Sequence, residues 1–168
     1  MITADESDEL LQHHRIRQVL LRYCRGIDRL DFDLVRSCYH PEATDQHPTF
    51  SGDREAFIAW VRPALAALAG TMHILGNNLI ELGHGEAVSE SYATAYHWQE
   101  SDPSAPAGFT SGFRYIDRFE HRDGEWRIAR RIAVREWTRH EVDFVPHRTT
   151  ADDPEHRMRS ARQHLGWP

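Results

Sequence analysis

At Gly70 the apolar period of the chain changes. Before it, apolar residues recur every three or four positions, the spacing of one helix face; after it they alternate. "TMHILGNNLIEL", "EAVSESYATAYHWQE", "GFTSGFRYIDRFEHRDG" and "EWRIARRIAVREW" read as four consecutive strands. "GHGE" and "HRDGE" put glycine where a hairpin turn needs positive φ, and "SDPSAPAG" is a looser connection. Helices followed by an antiparallel meander give an α+β layer arrangement. A sheet curled around a long helix would enclose a pocket between the two.

The helical half begins with residues 7–30, capped by Ser7 or Asp8, after a flexible stretch 1–6. Asp31 caps a short second helix, "FDLVRSCY", which stops near Pro41. "EATDQHPTFSG" is a short strand and a turn. "DREAFIAWVRPALAALAG" is a long helix from Asp53 to Gly70, kinked or split by Pro63. Residues 149–168 form a polar C-terminal extension that reads as a final helix capped by Asp152 or Asp153. No repeat, low-complexity segment or boundary interrupts the chain. Residues 1–168 therefore read as a single domain, long enough for a proper core.

Several partners are excluded. The net charge is −6 and there is no dense basic patch, so nucleic acid is not expected. The apolar runs are too short to span a membrane, and the acidic start "MITADESDELLQHHR" is no signal peptide. Cys24 and Cys38 lack CxxC or zinc-type neighbours and read as reduced, buried thiols of a cytoplasmic protein. His40, Asp45 and His47 match no metal spacing, so no metal is expected. Neither a phosphate loop nor a dinucleotide fingerprint is present, and no cofactor is implied.

One residue does not fit its helix. With Ile16 at zero, Val19, Leu20, Tyr23, Cys24, Ile27 and Leu30 cover roughly 300° through 0° to 80° of the wheel. Arg15, Gln18, Arg22, Arg25 and Arg29 form the solvent face. Asp28 falls at about 120°, on the margin of the buried arc. Burying a carboxylate is costly unless it is paired or protonated. Read locally, Asp28 is a helix-terminal residue bonded to nearby backbone. A partner elsewhere in the chain changes that reading.

His73 is the candidate partner. On a regular strand it shares a face with Leu75, Asn77 and Leu79, opposite Met72, Ile74, Gly76, Asn78 and Ile80. Both faces are largely apolar, so His73 is at least half buried. Alone, such a histidine is an ordinary hydrogen-bonded core residue. Bonded to an aspartate at one ring nitrogen, it offers the other nitrogen as a base. No serine or cysteine sits in a nucleophile elbow, so a proton taken directly from substrate is the simpler chemistry. Among the remaining candidates, Tyr115 alternates with Phe113 and is placed to reach the pocket. His97 ends a strand beside Trp98 and faces either pocket or solvent. Trp60 packs with Phe57 and Val61 as core and is also a candidate wall, as is His47. Arg127, Arg131 and Arg135 share one face of a regular last strand. Three arginines cannot all enter a cavity, so a bulge or an exposed end must intervene.

"RYCRGIDRLDFDLVRSCYHPEA", "GTMHILGNNLIEL" and "FEHRDGEWRIARR", in that order, resemble the SnoaL-like branch of the nuclear transport factor 2-like superfamily over roughly residues 8–140. The resemblance implies a cone-shaped barrel: a curved antiparallel sheet folded over N-terminal helices around a cavity. It implies a catalytic Asp–His dyad at Asp28 and His73, as in the lyases of that branch. It implies catalytic roles for Tyr23, five residues before the aspartate as in its dehydratases, and for Arg131 on the last strand. Substrate contacts would come from Tyr115, Trp60, His47 and His97. The implied activity is cofactor-independent elimination of the dehydratase type on an apolar small molecule, aromatic and polycyclic ones included. Isomerases, cyclases and formaldehyde-releasing lyases use the same parts. The superfamily also holds non-catalytic accessory subunits, such as the β subunit of ring-hydroxylating dioxygenases, so fold cannot settle function. The outer sheet face mixes Tyr, Trp and Val with charges and suits a homodimer or homotrimer.

Overall fold

The structure, a computed structural model, describes residues 3–99 and 108–141. Most of the "SDPSAPAG" connection and the 149–168 extension lie outside the described residues. Helix α1 (Ala4–Asp28) starts three residues before the expected position. Thr3, not Ser7 or Asp8, is its cap: the Thr3 hydroxyl accepts from the Glu6 N–H at 3.2 Å, and the Glu6 carboxylate accepts from the Thr3 N–H at 2.8 Å. Residues 4–6, expected to be flexible, are the first helical turn. Helix α2 (Phe32–Ser37) is capped by Asp31, as its sequence implies, but ends early. Tyr39 already opens strand β1 (Tyr39–His47), with Pro41 in the stretch where the ladder to the last strand is irregular. Strand β2 (Phe50–Asp53) turns back on β1. Helix α3 (Arg54–Ala66) is not split by Pro63. The proline sits near the C-terminal end, so its missing N–H costs only one late hydrogen bond. The helix stops at Ala66, and Gly70 opens the next strand instead of ending the helix.

The four alternating segments form β3 (Gly70–Leu82), β4 (Glu86–Trp98), β5 (Gly108–Arg122) and β6 (Glu125–Glu141). The sheet order is β2-β1-β6-β5-β4-β3. The expected meander therefore gains two strands, and β1 joins β6 in parallel. The architecture is α+β with a curved sheet against the N-terminal helices, but the sheet is open, with β2 and β3 as its edges. Asp123 and Gly124, both at positive φ (52° and 82°), make the two-residue hairpin between β5 and β6. The core between helices and sheet centres on Ile16, Leu20, Phe57, Phe119 and Ile128, all fully buried. Among the described residues, no helix is long and apolar enough to cross a membrane.

Two bulges decide which side chains face inward. In β3 the ladder shifts between Leu75 and Asn78. Asn78, Ile80 and Leu82 thus join His73 and Leu75 on the inner face, while Leu79 points outward and is 69% exposed. The strict alternation expected for this strand holds only up to the bulge. In β6 the pairing with β5 skips Ala129. That extra residue turns Arg127 to the outer face, away from Arg131 and Arg135, and supplies the bulge that three in-line arginines required.

Candidate active site

The site is assembled where α1 stops. Leu30 sits in the left-handed region (φ 54°), the Asp31 N–H bonds to the Gly26 carbonyl at 2.9 Å, and the Leu30 N–H reaches the Ile27 carbonyl at 3.3 Å. This is a Schellman ending made with leucine in place of glycine. Asp28 is the last helical residue. A carboxylate there faces the negative end of the helix dipole, an unfavourable place for an anion. Its stabilisation comes from β3. Asp28 Oδ2 accepts from the His73 backbone N–H at 2.9 Å, and Asp28 Oδ1 lies 2.6 Å from His73 Nδ1. The two oxygens thus hold one residue at two points, which fixes the ring plane. With the proton on Nδ1, Nε2 is left as a bare acceptor. The side chains are 16% and 8% exposed, so the pair is largely desolvated.

His73 lines a cavity of about 360 Å³ between the sheet, the end of α1 and α3. Phe57, Trp60, Leu68, Ala95, Phe113 and Ala133 make much of its wall apolar. Tyr23, His47, His97, Tyr115, Ser111 and Arg135 add polar groups, and no carboxylate is part of the lining among the described residues. All four expected substrate-contacting residues, Tyr115, Trp60, His47 and His97, therefore border the same space as His73 and Tyr23. A wider groove of about 730 Å³ crosses the outer sheet face past Ile74, Tyr92 and Trp137. Its one cation among the described residues, Arg114, is already paired with Glu136 and Glu90.

His97 stands edge-on to His73, with ring centroids 5.8 Å apart. Its Nδ1 is 2.9 Å from the Thr71 hydroxyl. Burial, and then the charge of His73, bring its pKa down to about 4, so it is a neutral ring at ordinary pH. Tyr23 meets Tyr39 and Tyr115 edge-on, at 5.9 and 5.7 Å. Burial pushes its hydroxyl above the usual tyrosine range despite the Arg131 charge nearby. It keeps its proton at ordinary pH and so has an O–H available to donate.

The resemblance implied a catalytic role for Arg131; the structure places the residue behind the cavity wall. It is fully buried, is not part of the cavity wall, and clamps Asp117 through Nε and Nη2, both at 2.7 Å. Its guanidinium lies 4.1 Å from the Tyr23 ring centre and 3.9 Å from that of Tyr115. Burial alone would lower the arginine pKa, but the Asp117 charge holds it well above the ordinary value. Arg131 thus fixes two phenols that reach the cavity without reaching it itself. His40, Asp45 and His47 do not come together as a trio: His40 stands apart from the other two. His40 Nε2 meets the Glu120 carbonyl at 3.0 Å, and Asp45 accepts from the Tyr39 hydroxyl at 2.6 Å. His47 Nε2 lies 3.0 Å from Asp45, misaligned for a hydrogen bond. Thr71, Ser111, Phe109 and Asp117 carried no signal in the sequence; all become legible only from the strand register. Arg135 was one of three in-line arginines, and the bulge at Ala129 is what separates it from Arg127.

The family model for the SnoaL-like domain matches residues 8–132. The chain belongs to the SnoaL-like family. Solved structures with this fold include a protein named as a candidate scytalone dehydratase from Novosphingobium aromaticivorans. It is 19% identical, with a TM-score of 0.71 over 84% of this chain and 93% of that one. A LinA-type hexachlorocyclohexane dehydrochlorinase from Novosphingobium barchaimii is 14% identical, with a TM-score of 0.74 over 84% and 99%. A protein of unknown function from Mycobacterium tuberculosis, solved as an aspartate-to-asparagine variant, is 20% identical, with a TM-score of 0.67 over 77% and 75%. At these identities the likeness speaks for the fold. No curated protein matches the sequence. This SnoaL-like domain therefore has to be read from its own side chains.

Proposed function

We propose that this SnoaL-like protein is a cofactor-independent lyase that eliminates water from an apolar small molecule. The observation that carries the reading is the Asp28–His73 contact at 2.6 Å, with His73 on the cavity wall. His73 Nε2 takes a proton from a carbon next to an activating group. The C–H electron pair forms the new double bond as the C–O bond breaks. The departing oxygen leaves under a hydrogen bond from Tyr23 and takes up the proton from the imidazolium, so that water is released. Asp28 orients the ring and stabilises its cationic form during the step. Tyr115 and Trp60 shape the cavity, and Arg131 acts as a positioning residue behind Tyr23 and Tyr115. A homodimer or homotrimer would cover the outer sheet face, where Met72, Ile74, Val88 and Tyr92 are about half exposed.

The test is carbon-acid exchange. Apolar β-hydroxy ketones and their dehydrated products are incubated in deuterium oxide with the wild-type protein and with His73→Ala. The reading expects deuterium uptake at the acidic carbon, and elimination from at least one compound, with the wild type only. Equal exchange by both proteins would refute His73 as the base.

A further inference from the structure

Arg135 is exposed, yet it lines the cavity, which puts it at the rim. It stands directly opposite Phe113 in the β5–β6 ladder, so the two side chains share the inner face. Phe113 in turn lies edge-on to His73, with centroids 6.0 Å apart. Arg135 is therefore one side chain removed from the proposed base.

Among the described residues its charge is uncommitted. On the same two strands Arg114, Arg118, Arg122, Arg127 and Arg131 each hold a carboxylate. Arg135 takes part in no ion pair among the described residues; Arg130 on β6 shares this but is not part of the cavity lining. The other groups around the cavity do not supply an anion either. Among the described residues the lining contains Arg135, three histidines and several hydroxyls, and no Asp or Glu. Two carboxylates stand behind lining histidines: Asp28 is spent on His73, and Asp45, against His47, accepts from the Tyr39 hydroxyl. The arginine's charge is also felt inside, since it adds to the burial that keeps His97 neutral. In a chain of net charge −6, this is a locally positive opening into an apolar space.

We propose that the cavity takes an apolar acid whose carboxylate docks on Arg135 at the rim, with the hydrocarbon body inside. A planar carboxylate matches the guanidinium fork, and a single arginine suits a monoanion. The proposal deepens the lyase reading by naming the substrate class, but binding of the anion does not depend on His73 being a base.

The experiment measures equilibrium binding of 2-naphthoate and of its neutral isostere, 2-naphthamide, by calorimetry at about pH 8, where an ordinary histidine is neutral. Wild type, Arg135→Gln and His73→Ala are compared. Wild type should prefer the naphthoate by at least about tenfold, the scale of a charge-assisted pair over a neutral one. That preference should shrink to near unity in Arg135→Gln and persist in His73→Ala. Equal binding of the two ligands by wild type, or absence of binding by both at millimolar concentration, overturns the proposal. So does a preference that survives Arg135→Gln or vanishes in His73→Ala. A preference that follows Arg135 while His73→Ala still exchanges carbon-bound protons leaves the rim site standing and removes only the lyase mechanism.

Discussion

Two of the charged pairs in the interior are built on opposite principles. Asp117 and Arg131, on β5 and β6, are both fully buried and joined by two bonds of 2.7 Å. The remaining surface of the guanidinium is covered by the Tyr23 and Tyr115 rings. Asp28 and His73, between α1 and β3, are equally close but only partly sealed, and His73 commits just one ring nitrogen. The first pair lies outside the cavity wall, and the one guanidinium nitrogen it leaves without a partner, Arg131 Nη1, is itself buried. The second holds a titratable ring by one nitrogen beside open space. A closed pair serves the fold, and a half-committed pair at a cavity is where chemistry can be done.

The largest effect expected from this contrast is on stability. Arg131→Met strands Asp117 in the core, where burial already pushes its carboxyl up against the pull of the arginine. Breaking such a pair costs about 3–5 kcal/mol. Denaturant melts should show that loss, and adding Asp117→Leu should recover much of it. A loss below about 1 kcal/mol in the single variant would erase the distinction between the two pairs. Next comes turnover. Asp28→Asn and His73→Ala should each lower the exchange or elimination rate by at least about a hundredfold, the scale for a general base or its support. Steady-state rates on whichever compound the wild type turns over will decide it.

Much of this was legible beforehand, for identifiable reasons. The Asp28–His73 contact rests on a helix periodicity that left one carboxylate at the edge of an apolar arc, and on an alternating strand that buried one histidine. Both signals are local. The surroundings of Arg131 were not legible because they are not local: Asp117, Tyr23 and Tyr115 come from three other parts of the chain, and only the folded register brings them together. The bulge at Gly76 and Asn77 was equally invisible, since an extra residue in a strand leaves the apolar pattern plausible on either side. The start of α1 was missed because the Thr3–Glu6 capping box precedes any apolar periodicity.

A smaller effect separates His97 from its neighbours. Its folded pKa is about 4, whereas an unfolded histidine titrates near 6.5. The folded state holds the ring neutral, and the unfolded chain takes up a proton first as pH falls. The associated stability is therefore fully present above about pH 6.5 and is lost as pH drops toward about 4. Allowing for partial solvent access, about 2 kcal/mol is at stake. Melts at both ends of that window should show His97→Gln losing about that much less than wild type. Identical losses would mean that the ring is solvated. The smallest effect is expected for Asp28→Asn on stability. The amide oxygen can still accept the His73 N–H, and its NH₂ can donate to a bare Nδ1, while the anion at the helix C-terminus is relieved. Thermal melts should agree within about 1 kcal/mol or favour the variant.

That substitution also exposes the central claim, that Asp28 exists to keep His73 Nε2 bare toward the cavity. The direct measurement is the ¹⁵N spectrum of the neutral His73 ring in wild type and in Asp28→Asn. The account predicts a proton on Nδ1 and none on Nε2 in wild type, with the two exchanged in the variant. A wild-type ring protonated on Nε2, or the same tautomer in both proteins, would contradict it.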